Sequence, residues 1–138
     1  WTAITPYDYK DGLIYLDDGL GNGLRGENPS LDASLKQDGV ARDSKLMWAL
    51  GNFSRFVRPG MVRVEIASSS AYRGGGREVV VVVNLGTRGQ SFRLDGEAEK
   101  YRMYETSESA SLKYRGETGR DKVSVPARSV VTLVSGGI

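Results

Sequence analysis

The change of period at Pro59-Gly60 narrows the possible folds more than any other feature of this chain. Before it, Leu46, Leu50, Phe53 and Val57 recur at the spacing of one stripe of an amphipathic helix, with Lys45, Asn52 and Arg55 on another side. Pro59 cannot continue a helical ladder and Gly60 readily takes turn geometry, so the helix has to end there. Immediately afterwards Val62, Val64 and Ile66 alternate with Arg63 and Glu65, the period of a half-buried strand. The pattern predicts one helix over 44–58, capped by Asp43 or Ser44 and joined to a sheet with no linker.

Strand-sized segments follow at 62–68, 78–85, 90–95, 101–106, 112–115, 122–126 and 129–135, with turns at 73–77, 86–89 and 116–119. Short strands at this spacing predict an antiparallel β-sandwich, and 18 glycines in 138 residues suit its tight turns. Val79 to Val83 is apolar at every position, which predicts a central strand covered on both faces. Pro126 belongs at a strand end because it cannot donate to a ladder. Upstream, Leu13 to Leu16 reads as a strand, and 19–42 reads as a long loop of the kind that often forms functional rims.

Composition removes several classes of function. Nineteen basic and 17 acidic residues are scattered to a net charge of +2, which makes no field for nucleic acid. The chain has no cysteine and no histidine, so thiolate chemistry, the commonest general base and the commonest metal ligand are absent. The longest apolar run, Val79 to Val83, is too short to span a bilayer, so no membrane partner is expected. The chain begins at Trp1 without an initiator methionine, which reads as a cut. An export signal would lie upstream, and the expected location is secreted or periplasmic.

Isolated motifs carry little. Gly21-Asn22-Gly23-Leu24-Arg25-Gly26 matches the dinucleotide fingerprint, but Asn28-Pro29 follows where a helix should open to receive the pyrophosphate, so a flexible loop is the better account. Asp17-Asp18 with Glu27 fits no regular metal loop, and no metal or other cofactor is expected. Asn52-Phe53-Ser54 is formally a glycosylation sequon, discounted because it sits on a predicted helix. Retaining glycoside hydrolysis needs two carboxyl groups about 5 to 5.5 Å apart. Glu65, the one carboxylate firmly inside a strand, reads as a surface ion pair with Arg63 and has no second carboxylate spaced to work with it.

Residues Ala49-Leu50-Gly51-Asn52-Phe53-Ser54-Arg55-Phe56-Val57-Arg58-Pro59-Gly60 with Val62-Arg63-Val64 closely resemble the segment that closes the barrel in glycoside hydrolase family 30. Val79–Asn84, and Val125-Pro126-Ala127-Arg128-Ser129-Val130-Val131-Thr132-Leu133, resemble two further segments of that family, so the likeness covers about 44–135. The resemblance implies a mainly β fold, an antiparallel β-sandwich preceded by one α-helix that looks like the last helix of a TIM barrel. It divides the chain into the end of a catalytic barrel over 1–60 and a side domain over 61–138. It places both catalytic glutamates before Trp1, so this chain holds no catalytic residue of its own. Trp1 is left as a stacking platform for a sugar, with Tyr7, Asp8 and Tyr9 at the rim. The partners implied are a β-linked oligo- or polysaccharide and the rest of the barrel, in the same or another polypeptide, in an enzyme like a xylanase, galactanase or β-glucosidase. The rival expectation is a stand-alone carbohydrate-binding or adhesive sandwich. In the barrel-fragment reading, the stripe of Leu46, Leu50, Phe53 and Val57 wants a partner outside this chain.

Overall fold

The computed structural model describes residues 2–4, 12–17, 40–64 and 69–136, and the chain divides into two units, Trp1–Met47 and Trp48–Ile138. In the first unit, β1 (Thr2–Ile4) runs parallel to β2 (Ile14–Asp17), and β2 pairs antiparallel with β3 (Val40–Asp43). β2 is the strand expected at 13–16. β3 corrects the reading of 19–42 as loop throughout: all four of its residues are exposed, so it has no buried face to write a period into the sequence. β1 was not expected either.

Helix α1 (Lys45–Ser54) begins where Ser44 caps it, the Met47 N–H donating to Ser44 Oγ at 3.1 Å. The Ser44 hydroxyl donates in turn to the Leu13 carbonyl at 2.8 Å. Regular helix stops earlier than the expected 58, although Arg55 and Val57 still donate to Gly51 and Phe53. Arg58 Nη1 donates to the free carbonyl of Ser54 at 3.1 Å, a basic cap on the helix end. Arg58-Pro59-Gly60-Met61 is then a type II turn, closed by Met61 N–H to Arg58 O at 3.1 Å, with Gly60 supplying the required φ of 88°. The irregular last turn at 55–57 and this type II turn together make the junction between helix and sheet.

The second unit is an antiparallel sandwich. A six-stranded sheet has the order β4-β5-β6-β11-β8-β9, built from β4 (Val62–Val64), β5 (Ser70–Gly74), β6 (Arg77–Asn84), β8 (Lys100–Ser107), β9 (Ala110–Gly119) and β11 (Ser129–Val134). A two-stranded sheet pairs β7 (Gln90–Phe92) with β10 (Val123–Val125). Alternation along β6 assigns its two faces. Val80 and Val82 join Ala71, Tyr101, Val131 and Leu133 in a core closed by Val123 and Val125 of the small sheet. Val79 and Val81 join Tyr104, Leu112 and Val134 in a second core closed by Trp48, Phe53, Phe56 and Val57 of the helical segment. The layers are therefore small sheet, large sheet and helix.

Several expectations need correction. The stripe of Leu46, Leu50, Phe53 and Val57 is not one buried face: Phe53 and Val57 pack on the sheet, while Leu46 and Leu50 are 51% and 50% exposed. The inner face is instead Trp48, Asn52, Phe53 and Phe56, a rotation of the helix that the polar Asn52 hid. Arg73 and Gly74 belong to β5 and Arg77 to β6, so the loop expected at 73–77 shrinks to Gly75-Gly76, with φ of 58° and 71° as a tight primed turn requires. The turn expected at 116–119 lies inside β9, and the chain reverses at 120–122 instead. Val83 is half exposed, so only Val79–Val82 are covered on both faces. Pro126 follows β10 directly, as its missing donor demands.

Candidate functional site

The residues expected to meet a sugar, Trp1, Tyr7, Asp8 and Tyr9, lie outside the described residues, as do Asp18, Glu27, the glycine motif at 21–26 and Glu65. Among the described residues, no group of three or more Asp and Glu side chains is placed to hold a metal ion, and no helix is long and apolar enough to cross a membrane. Among the described residues of the second unit, four clusters of side chains stand out.

The first joins helix to sheet. Asn52, fully buried on α1, donates from Nδ2 to Thr106 Oγ1 at 2.7 Å and to the Trp48 carbonyl at 2.9 Å. The Thr132 hydroxyl lies 2.8 Å from Asn52 Oδ1 and 3.0 Å from the Asn52 carbonyl, and Thr106 Oγ1 also accepts from the Leu112 N–H at 3.0 Å. Every polar atom of the Asn52 side chain is satisfied, which is the condition for burying it. An amide enclosed in this way is closed to a glycosylating enzyme, so the sequon is structural.

The second and third are buried carboxylates. Glu78 accepts from Arg73 Nη2 at 2.9 Å, from the Tyr101 hydroxyl at 2.5 Å and from the Glu97 N–H at 3.3 Å, and Arg73 Nη1 also pairs with Glu97 at 2.9 Å. Burial works to raise the Glu78 carboxyl, but hydrogen bonds from Tyr101 and Arg73 and the charge of Arg73 outweigh it, leaving the group below its ordinary value. Burial, together with donation to Glu78, pushes the Tyr101 phenol well above its own. At Glu105 burial again works upward and is outweighed by Arg115 Nε at 2.8 Å and the Ser107 hydroxyl at 2.7 Å. The general acid of glycoside cleavage is a carboxyl raised toward neutrality. Both of these are moved the opposite way and locked in ion pairs, so they hold the sandwich together and do not donate protons.

The fourth is an aromatic patch. The Phe56 and Tyr104 rings meet at 4.6 Å, and the Tyr104 and Tyr114 rings meet at 5.4 Å with a tilt of 46°. Arg55 Cζ lies 5.6 Å from the Phe56 ring centre and 5.8 Å from that of Tyr104. Tyr114 remains 50% exposed. Sequence reasoning missed this patch; the only signal is an aromatic at Tyr114 between two basic residues of one strand. Among the described residues the surface also holds an open depression of about 410 Å³ lined by Glu99, Lys100, Glu117, Thr118, Arg120 and Asp121, and another of about 330 Å³ beside the Pro59-Gly60 turn between Arg58 and Arg77. Neither contains an aromatic side chain, the usual platform for a sugar ring.

No family model matches this chain. It is 35% identical to glucuronoxylanase XynC of Bacillus subtilis over 72% of its own length and 26% of that protein's. Its fold superposes on a conserved exported protein from Bacteroides fragilis with a TM-score of 0.72, 33% identity, and coverage of 89% of this chain and 26% of the other. A family 30 endoxylanase from Clostridium papyrosolvens superposes with a TM-score of 0.58 and 28% identity over 69% of this chain and 28% of the enzyme. The chain thus spans about a quarter of the length of the curated relatives it matches.

Proposed function

We propose, from the homology of this chain to family 30 glycoside hydrolases over the 72% of it that aligns, that it is the C-terminal portion of a retaining hydrolase of β-linked polysaccharide, with xylan the leading substrate. In this reading residues 1–60 close the catalytic barrel and 61–138 form a sandwich that buttresses it. The observation that carries the reading is the weld itself. A helix resembling the last of a barrel turns into the sandwich through a seven-residue junction that ends in the Arg58–Met61 turn, and Asn52 ties it to β8 and β11, so the helix and the sheet move as one piece. A buttress needs that stiffness, because a catalytic pair must be held to within a fraction of an ångström. Leu46 and Leu50, half exposed, are the surface offered to the barrel. The chemistry is supplied by two glutamates outside this chain. Trp1, Tyr7, Asp8 and Tyr9 contribute to the sugar site, and the enzyme is exported.

A second reading, a free-standing carbohydrate-binding module, has one observation in its favour: Trp48, Phe53, Phe56 and Val57 already bury the helix on this chain's own sheet. The two are separated by assaying release of reducing sugar from glucuronoxylan with the product of the complete open reading frame, beside the 138-residue chain alone. Activity in the first and none in the second is expected. Polysaccharide binding by a complete frame that hydrolyses nothing would favour the module. Turnover by the short chain, lost on changing one of its own Asp or Glu residues, would overturn both readings.

A further inference from the structure

The edge strand β9 is bent twice. Met103 faces Gly116 but Tyr104 faces Tyr114, which leaves Arg115 as an extra residue. Glu105 faces Lys113 but Ser107 faces Ala110, and in this second irregularity Leu112 takes a φ of 51°, a left-handed conformation that leucine rarely adopts. Leu112 is held there by its N–H to Thr106 Oγ1 and by burial in the helix-side core. Bulges re-aim side chains, and backbone strain gathers where a surface has work to do. The residues between the two bends are Lys113-Tyr114, and their effect is to tilt the Tyr114 ring against Tyr104 while leaving half of it in water.

Arg55 reaches the same Tyr104 ring from the end of the helix. Among the described residues its guanidinium makes ring contacts only, with no carboxylate or carbonyl on its donors. An exposed aromatic face suits the apolar face of a pyranose, and an unclaimed guanidinium offers a planar pair of donors that matches a carboxylate. We infer that Tyr114 and Arg55, both set against Tyr104, form a binding surface for a β-linked polysaccharide that bears uronic acid, Tyr114 stacking on a sugar ring and Arg55 pairing with the carboxylate. The choice of polymer rests on the proposed function; the site itself rests on the geometry.

Titration calorimetry of the 138-residue chain with xylotetraose and with a glucuronic acid-substituted xylotetraose tests this. Binding of both should weaken at least about tenfold in Tyr114→Ala and stay within about twofold in Tyr114→Phe, which keeps the ring. Arg55→Gln should remove the preference for the acidic sugar and leave the neutral one bound. In the unaltered chain the preference itself should shrink with added salt. Far-ultraviolet circular dichroism establishes that each variant is folded, and the Phe variant and the salt series read the site should an alanine variant fail. No saturable binding at millimolar sugar, or binding untouched by Tyr114→Ala in a folded variant, overturns the inference. Hydrolysis by the complete frame with no binding here sinks this surface alone, whereas binding here without hydrolysis sinks only the enzyme reading.

Discussion

Asn52 and Thr132 lie 80 residues apart in sequence and meet inside the protein, the Thr132 hydroxyl 2.8 Å from Asn52 Oδ1 and 3.0 Å from the Asn52 carbonyl. The first residue is on the helix and the second is in the central strand β11, so this contact pins the helix to the sheet at one rotation and one depth. Hydrophobic packing alone is tolerant of sliding; a buried amide with fixed partners is not.

Asn52→Ala is accordingly expected to cost about 3 kcal/mol, because it strips partners from Thr106 and Thr132 and leaves a void among buried groups. Thr132→Val, which keeps the shape and removes the hydroxyl, should cost about 1 to 2 kcal/mol. The double variant should be less destabilised than the sum, since both remove the same bond. Urea denaturation followed by circular dichroism measures all three, and simple additivity would show that the contact does not act as a unit.

Why the sequence disclosed the frame but not this contact follows from what each signal encodes. The change from helix to strand around Pro59-Gly60 and the valine run of β6 are written locally, and both correspond to structure. The half-buried alternation read at 62–66 does not hold at its first residue, since Val62 is 67% exposed, and 65–66 lie outside the described residues. The rotation of α1 is written in Thr106 and Thr132, two residues with no local mark of their role. An Asn at position 52 therefore reads as a wet face, and the apolar stripe is misassigned by about a third of a turn. β3 and β5 were missed for a related reason: neither shows a strict alternation of apolar and polar residues. The patch at Tyr114 depends on two bulges, and bulges arise from pairing between strands.

Gly96→Ala should be severe. A methyl at this position would sit 1.9 Å from Tyr101 Oη and 2.7 Å from Glu78 Oε2, both held in the buried ion-pair cluster. A loss of about 3 kcal/mol is expected, at the upper end for overpacking. Tyr101→Phe removes the colliding oxygen, so Gly96→Ala should cost markedly less in that background. Equal cost in the two backgrounds, read from melting curves, would place the strain elsewhere.

Acid should unfold the sandwich through its buried carboxylates. Glu78 and Glu105 are held below their ordinary value of 4.5 in the folded chain, so the stability they contribute is complete above that value and is lost as pH falls through their lower folded values. Tyr101 acts at the other extreme. Its folded value is raised above the ordinary 10.0, so the folded state favours the phenol, and this contribution is lost as pH rises beyond 10. Glu78→Gln should flatten the acid limb of stability against pH and lower the plateau at neutrality, because Arg73 then loses its buried partner. An unchanged acid limb would show that Glu78 does not set it.

The two faces of the helix should respond differently to substitution, and the difference bears on the proposed barrel contact. Phe56 is buried against Tyr104 in the helix-side core, so Phe56→Ala is expected to cost about 3 to 4 kcal/mol in the 138-residue chain. Leu50 is half exposed and makes no part of that core, so Leu50→Gln should change the stability of the same chain by less than about 0.5 kcal/mol. In the product of the complete reading frame the proposal places Leu46 and Leu50 against the barrel. There, Leu50→Gln should cost about 1 to 2 kcal/mol, the transfer free energy of a leucine side chain removed from an interface. Paired urea titrations of the short chain and the complete product, each with and without Leu50→Gln, make the comparison. A Leu50→Gln penalty equally small in both proteins would mean that nothing covers this face and would take the buttress role away from the helix.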